Sequence, residues 1–156
     1  MELWELVARE RCRDTLARYT HCGDRFLLDE FVLAFCEDGV LAIRNAEPVV
    51  GRAAIAARFR GGIGAPAPAP APASGEPGVP APKRIVRHNV TNVRFETLTP
   101  TEATVASYFT VFTNIGVDHM GRYRDRLVPV GDEWLIAHRF VSTDWRAPAT
   151  LFGAPS

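Results

Sequence analysis

The chain has none of the short motifs from which enzyme chemistry is most directly read. G-x-S-x-G, a phosphate-binding loop and G-x-G-x-x-G are all missing, so serine-type nucleophilic catalysis and nucleotide chemistry find no support. Cysteine is scarce. Cys12, Cys22 and Cys36 form no C-x-x-C pair, three thiols cannot close a full disulfide set, and Cys36 lacks a base placed to activate it. They read as reduced, buried small residues of a cytoplasmic protein. The four histidines fall in neither H-x-H nor H-E-x-x-H spacing and no Asp/Glu cluster has ligand spacing, which argues against a metal. Charge of one sign is missing too. Eighteen basic residues balance 18 acidic ones, so neither nucleic acid nor an anionic membrane is an expected partner. No apolar run approaches the roughly 20 residues of a membrane span, and the opening MELWELVARERCRD carries charges throughout, unlike a signal peptide.

What is present is an ordinary globular composition, 47% hydrophobic, 10% aromatic and 23% charged over 156 residues, enough for one domain with a sizeable core. Residues 2–22 carry Leu3, Leu6, Val7, Leu16 and Tyr19 near helical spacing and predict a helix stopped by Gly23 at C′. Asp24 stands where an N-cap would open a second helix over 25–36, with apolar surface from Phe26, Leu27, Phe31, Leu33, Ala34 and Phe35. A short strand over 39–43 and a short helix over 51–60 follow. Residues 61–82 then break the pattern, because seven of the twelve prolines alternate there with Ala and Gly. Such a composition favours extended polyproline-like chain and builds no core. It is expected to be an insertion, without helix or strand, into a single domain spanning 1–156.

The second half is strand-rich, with β-branched and aromatic residues enriched over 84–98, 102–114, 121–130 and 133–145. VGDEW at 130–134 predicts a tight hairpin, TLTPTE at 97–102 a connector, and NIGVDHMG at 114–121 a looser loop. Helices first and a four-strand antiparallel meander after them make an α+β fold, a curved sheet with helices closing one face.

One stretch is oddly furnished for a core. In RYTHCGD, residues 18–24, the stripe through Cys12 and Leu16 arrives at Tyr19, with the Asp24 carboxylate just beyond. Mid-strand His88 has a period-two register that would set Val86, His88, Val90 and Asn92 on one face. That pattern suits a pocket wall. It also suits a buried histidine satisfied by a backbone carbonyl, with Asn92 stitching a neighbouring strand. Tyr19 and Asp24 divide the same way, since a buried tyrosine near a helix end often only packs, and Asp at an N-cap is common for local reasons. His21, off the Tyr19 stripe, and His119, in the loop beside Asp118, are expected at the surface. Arg122, Arg124 and Arg126 alternate onto one strand face, solvated or turned to another subunit.

The element order and three blocks of sequence together resemble the SnoaL-like, or polyketide-cyclase-like, branch of the nuclear-transport-factor-2-like superfamily. The blocks are YTHCGDRFLLDEFVLAFCEDGV, which sets Tyr19, Asp24, Phe35 and Asp38; RHNVTN at 87–92; and GRYRDRLV with EWLIAHRFVSTDW within 121–145. The likeness covers nearly the whole chain except the Pro/Ala insertion, which that pattern lacks. It implies a cone-shaped half-barrel, a curved antiparallel sheet closed by the N-terminal helices around a deep apolar cavity. Bile-acid dehydratases and scytalone dehydratases look nearest in lining one cavity with Tyr, Asp and His. By that similarity Tyr19, Asp24 and His88 are the expected catalytic set and Arg139 an expected substrate contact, beside Asn92 on the His88 face. Those enzymes carry a further carboxylate or histidine on a later strand, and residues 103–114 hold neither.

Given that geometry, the chemistry follows. Neutral imidazole, with an ordinary pKa of about 6.5, can take a proton alpha to a carbonyl at neutral pH. A tyrosine hydroxyl can polarise the carbonyl or protonate a leaving hydroxyl, and Asp24 would orient the imidazole. The resemblance therefore implies a dehydratase, isomerase or cyclase that needs no cofactor and acts on a small, mostly apolar carbonyl compound, steroid-like or polyketide-like. Two alternatives stand beside it. One is a non-catalytic ligand-binding or partner subunit, like the small subunit of a ring-hydroxylating dioxygenase. The other is an epoxide-hydrolase-like enzyme, for which Asp24, Arg139 and Asp144 are the available set. Tyr108, Phe109, Val111, Phe112, Leu127, Trp134 and Phe140 exceed the needs of one interior, so a homo-dimer or homo-trimer joined through the outer sheet face is expected.

Overall fold

Residues 3–22 contain neither glycine nor proline, and they open the fold as one long helix. In the computed structural model, which describes residues 1–61 and 85–152, α1 runs Leu3–Asp24, with Glu2 and Glu5 forming a capping box at its start. Gly23 does not stop it. The stop comes at Phe26, at φ 56°, whose N–H donates to the Gly23 carbonyl while Leu27 N–H donates to that of Cys22. This is a Schellman ending with a bulky residue in the left-handed position. Asp24 consequently lies in the last turn of α1 instead of capping a second helix. Phe26 is exposed, so its ring contributes little packing to offset the backbone cost. Phe26→Gly is expected to stabilise the fold by roughly 1 kcal/mol, read as a raised Tm. An unchanged or lower Tm would refute that account of the turn.

The expected helix over 25–36 shrinks to α2 (Leu28–Phe31) and a 3-10 turn, Val32–Ala34, because Phe35 already belongs to β1 (Phe35–Ile43). The short β2 (Val49–Val50) and α3 (Arg52–Arg60) complete the first half. Along α1 the buried positions include Ala8, Cys12, Leu16 and Tyr19, whereas Leu3, Leu6 and Val7 are exposed. The stripe therefore serves the core only from Ala8, in its second turn, onward.

Four long strands follow, β3 (Val86–Leu98), β4 (Ala103–Thr113), β5 (Gly116–Val130) and β6 (Glu133–Arg146), each antiparallel to the next. The sheet does not end with that meander. Strand β1 lies parallel beside β6 with β2 on its far side, giving the order β2-β1-β6-β5-β4-β3. The result is a curved, unclosed sheet with the N-terminal helices over one face. The 130–134 hairpin closes through Gly131 and Asp132, Gly131 taking φ 58° where a side chain would be strained. The 114–121 segment is not a loose loop. Asn114 and Ile115 alone make the turn, Thr113 pairs with Gly116, and the rest is β5.

Register shifts bend this sheet and re-aim side chains. In β3 the pairing slips between Thr91 and Arg94, with Asn92 at φ 53°, so the half-buried face continues through Val93, Phe95 and Leu98. In β5 it slips at Asp118, and both Asp118 and His119 become buried. The core under α1 includes Cys12, Leu16, Phe31, Phe35, Leu127 and Ile136. Phe109, Val111 and Trp134 also belong to that interior, which leaves Tyr108 and Phe112 as the exposed residues of the set expected to drive association. Arg124 and Arg126 are exposed, Arg126 pairing with Glu102 and the half-buried Arg122 with Asp144. Apart from Gly61, the Pro/Ala-rich insertion lies outside the described residues. Among the described residues no helix is long and apolar enough to cross a membrane.

Candidate active site

The ending of α1 sets the first candidate pair. With the chain reversing at Phe26, Asp24 is the last helical residue, and β3 brings His88 beside it. One carboxylate oxygen stands 2.5 Å from His88 Nδ1, and the other accepts the His88 backbone N–H at 3.0 Å. An ionised carboxylate only accepts, so Nδ1 is the donor in this contact, and in the neutral imidazole that leaves the lone pair on Nε2. That Nε2 has no partner among the described residues. The imidazole is held at both its backbone and its ring, with only 20% of the side chain exposed.

Tyr19 stands five residues earlier on the same helix, and its ring is buried among other aromatic rings. It contacts Phe31 at 4.7 Å and Phe35 and Tyr123 each at 5.9 Å between centroids. Tyr123 stacks on Phe109 at 4.5 Å, and Phe109 in turn lies 6.4 Å from His88. Tyr19 and His88 thus share the helix-covered side of the sheet, joined by a continuous run of rings rather than by a hydrogen bond. Burial pushes the Tyr19 hydroxyl above its ordinary pKa, and the nearby Arg139 cation opposes that rise.

Arg139 is placed differently from a substrate contact. It is 1% exposed, and its Nε and Nη2 donate to the two Asp125 oxygens at 2.7 and 2.8 Å. Its guanidinium carbon sits 3.9 Å from the Tyr19 ring centroid and 4.2 Å from that of Tyr123. Burial disfavours its charge, but Asp125 outweighs burial and the group is held above its ordinary pKa. A buried ion pair adds little net stability over an apolar replacement, so its place behind the tyrosine rings calls for another reason. Nη1 is buried without an acceptor, as is Oγ of Ser107, the cross-strand neighbour of Tyr123.

Asn92 does not join the site. The bulge that puts it in the left-handed region turns it to solvent, and Val93 takes the inward place that simple alternation would assign to Asn92. Asp24, Arg139 and Asp144 do not meet either, because their partners are His88, Asp125 and Arg122 respectively. A cleft of about 310 Å³ opens beside Thr104, Arg124, Arg126, His138 and Phe140, away from both His88 and Tyr19. Among the described residues no three His, Cys, Asp or Glu side chains gather as metal ligands.

The residue missed by the sequence argument is His119. Far from the surface, it is 8% exposed, because the bulge at Asp118 turns two consecutive side chains inward. Its Nδ1 donates to Asp118 Oδ1 at 2.8 Å, repeating the Asp24–His88 arrangement. The two imidazole centroids are 6.4 Å apart and nearly perpendicular, at 86°. Burial lowers the His119 pKa, Asp118 works against that, and His88 and Arg146 add to the lowering. The unfolded chain thus binds this proton more readily than the native one, so stability falls as pH drops through the ordinary histidine range. Asn114 followed two residues later by Gly116 was the available signal, since a two-residue turn there extends β5 back to include position 119.

A carboxylate and a histidine thus lie buried side by side on β5, the strand after residues 103–114. A model of the SnoaL-like domain matches residues 4–140. The chain belongs to the SnoaL-like family. That family comprises small-molecule-binding and catalytic domains. Solved structures share the fold at low identity. A protein of unknown function from Mycobacterium tuberculosis matches with TM-score 0.70 and 22% identity over 90% of this chain and 73% of that one. A candidate scytalone dehydratase from Novosphingobium aromaticivorans matches with TM-score 0.67 and 21% identity over 99% and 96%. ActVI-ORFA from Streptomyces coelicolor matches with TM-score 0.68 and 19% identity over 87% and 96%. No curated protein matches this SnoaL-like chain.

Proposed function

We propose that this SnoaL-like protein is an acid–base enzyme, a dehydratase, isomerase or cyclase that moves protons on a small, mostly apolar carbonyl compound. The observation that carries the reading is the pair of carboxylate-fixed histidines, His88 and His119, with ring centroids 6.4 Å apart on the helix-covered face. Elimination of water and allylic isomerisation each remove one proton and deliver another at a different atom. Two imidazoles that both spend Nδ1 on an aspartate offer two Nε2 lone pairs as bases; one takes the proton, and the imidazolium so formed is the acid that delivers it at the other atom. Tyr19 is the electrophilic partner in this scheme. As charge builds on the substrate oxygen, the hydroxyl hydrogen bond strengthens in a water-poor site, and Arg139 beneath the ring stabilises negative charge shared with the phenol. Asp24 is the positioning residue for His88. Arg139 is assigned to Tyr19 rather than to the ligand, and Asn92 has no part. The expected homo-dimer or homo-trimer stays with this proposal, its surface narrowed to the outer sheet face around Tyr108 and Phe112.

The reading is tested without knowing the physiological substrate. β-Tetralone, a bicyclic ketone with acidic alpha protons, is incubated with the protein in D₂O, and exchange is followed by proton NMR. Catalysed exchange is expected, and Tyr19→Phe should slow it by roughly 10- to 1000-fold with Tm preserved, because only the hydroxyl is lost. Tight binding of the ketone with no catalysed exchange would favour the non-catalytic ligand-binding alternative.

A further inference from the structure

The Asp118 carboxylate is fully buried and accepts four hydrogen bonds. One comes from His119 Nδ1 at 2.8 Å and one from the Thr113 hydroxyl of β4 at 3.2 Å. The other two come from beyond β6, from the Thr150 hydroxyl at 2.6 Å and Leu151 N–H at 2.9 Å. The Asp118 backbone carbonyl also accepts Ala147 N–H at 2.7 Å. Phe152, itself 8% exposed, lays its ring edge-on to the His119 imidazole at 4.7 Å, and its carbonyl accepts from Arg146 at 3.3 Å. Residues 147–152 have no helix or strand, yet they converge on one histidine and its carboxylate. Surface packing alone does not require a buried carboxylate as the anchor.

We propose that residues 147–152 form a strap that belongs to the active centre, making Asp118 the positioning residue that aims His119 Nε2 at the substrate. This rests on the acid–base role given to His119 above. The strap acts in two ways. Thr150 and Leu151 consume lone pairs of Asp118, which fixes the carboxylate and moderates its pull on the imidazole proton. Phe152 excludes water from the ring and keeps it neutral at a pH where an exposed histidine begins to charge. The charged or titratable groups around His119 are Asp118 on its own strand, His88 on β3 backed by Asp24 of α1, and Arg146 on β6. The uncharged walls are Phe109 and Thr113 of β4 and Phe152 of the strap. The strap therefore contributes two of the four carboxylate contacts and the apolar cover.

The test reads the proton directly, on the full chain. Histidine Cε1–H signals are titrated by NMR and the four residues assigned with His→Gln variants. Thr150→Val and Phe152→Ala are each expected to move the His119 midpoint upward, the first by releasing an Asp118 lone pair and the second by admitting water. Thr150→Ser keeps the hydroxyl and should leave the midpoint in place. A midpoint unmoved in Thr150→Val overturns the proposal whatever happens to Tm, and that variant preserves volume, so it stays informative if Phe152→Ala fails to fold. An upward midpoint with unaltered β-tetralone exchange upholds the positioning and overturns only the part given to His119 in the chemistry.

Discussion

His88→Ala is expected to lower the rate of β-tetralone exchange by roughly 10²- to 10⁴-fold, the usual loss for a general base. The substitution removes Nε2 and also strands one Asp24 oxygen, because the 2.5 Å contact to Nδ1 disappears while the backbone N–H of residue 88 still serves the other. With only 9% of the Asp24 side chain exposed, that loss should destabilise the fold by about 1–3 kcal/mol. Activity and stability are separated by His88→Gln, whose amide N–H can still donate toward Asp24 but which cannot accept a proton at neutral pH. A folded His88→Gln with wild-type exchange would remove His88 from the chemistry and leave a well-satisfied structural pair. Asp24→Asn is a harsher probe than it looks from sequence. Asp24 takes two donors from residue 88, and an amide offers one oxygen and one NH₂, so the ring must adopt the tautomer in which Nδ1 accepts and Nε2 carries the proton, which removes the Nε2 lone pair.

The largest effect on stability is expected at a residue that touches no substrate. Gly121 sits where β5 passes between β4 and β6, opposite Phe109 and Thr143. A Cβ there would collide with the Ser142 carbonyl oxygen and lie 2.8 Å from Phe109 Cζ. The first obstacle is backbone of a central strand, and the second is the ring that stacks on Tyr123 at 4.5 Å and separates His88 from Tyr19. Neither can move without opening the sheet or the site. Gly121→Ala should therefore cost about 3 kcal/mol, lowering Tm by roughly 6–12 °C in a chain of this size. A Tm within a degree of wild type would show that β5 and β6 part easily at Thr143, and the close-approach account would fail.

Elements whose local pattern agrees with their surroundings were legible from residues alone. Alternation and β-branching placed β3, β4 and β6, and apolar residues near helical spacing placed α1. Gly131 placed the 130–134 hairpin, because few other residues tolerate φ near +60° in a two-residue turn. The pairing of Tyr19, Asp24 and His88 on one covered face was reached through family likeness, and the direct Asp24–His88 contact agrees with it.

What escaped the sequence was settled by register and by chain reversal. A strand's period of two predicts facing only while pairing stays in step, and one extra residue inverts every later side chain. The slip after Thr91 sent Asn92 outward, and the slip at Asp118 sent His119 inward, so one expected site residue faces solvent and an unexpected histidine lies buried 6.4 Å from His88. Neither slip is encoded where it occurs; each follows from how two strands distant in sequence share one curved sheet. The parallel joining of β1 to β6 is of the same kind, being a contact between residues about a hundred positions apart. Arg139 shows the third case, in which residue type was read correctly and its neighbour was not. An arginine on a strand can reach a ligand or an aspartate, and only the pairing of Asp125 with Arg139 across β5 and β6 puts a carboxylate within reach of its guanidinium.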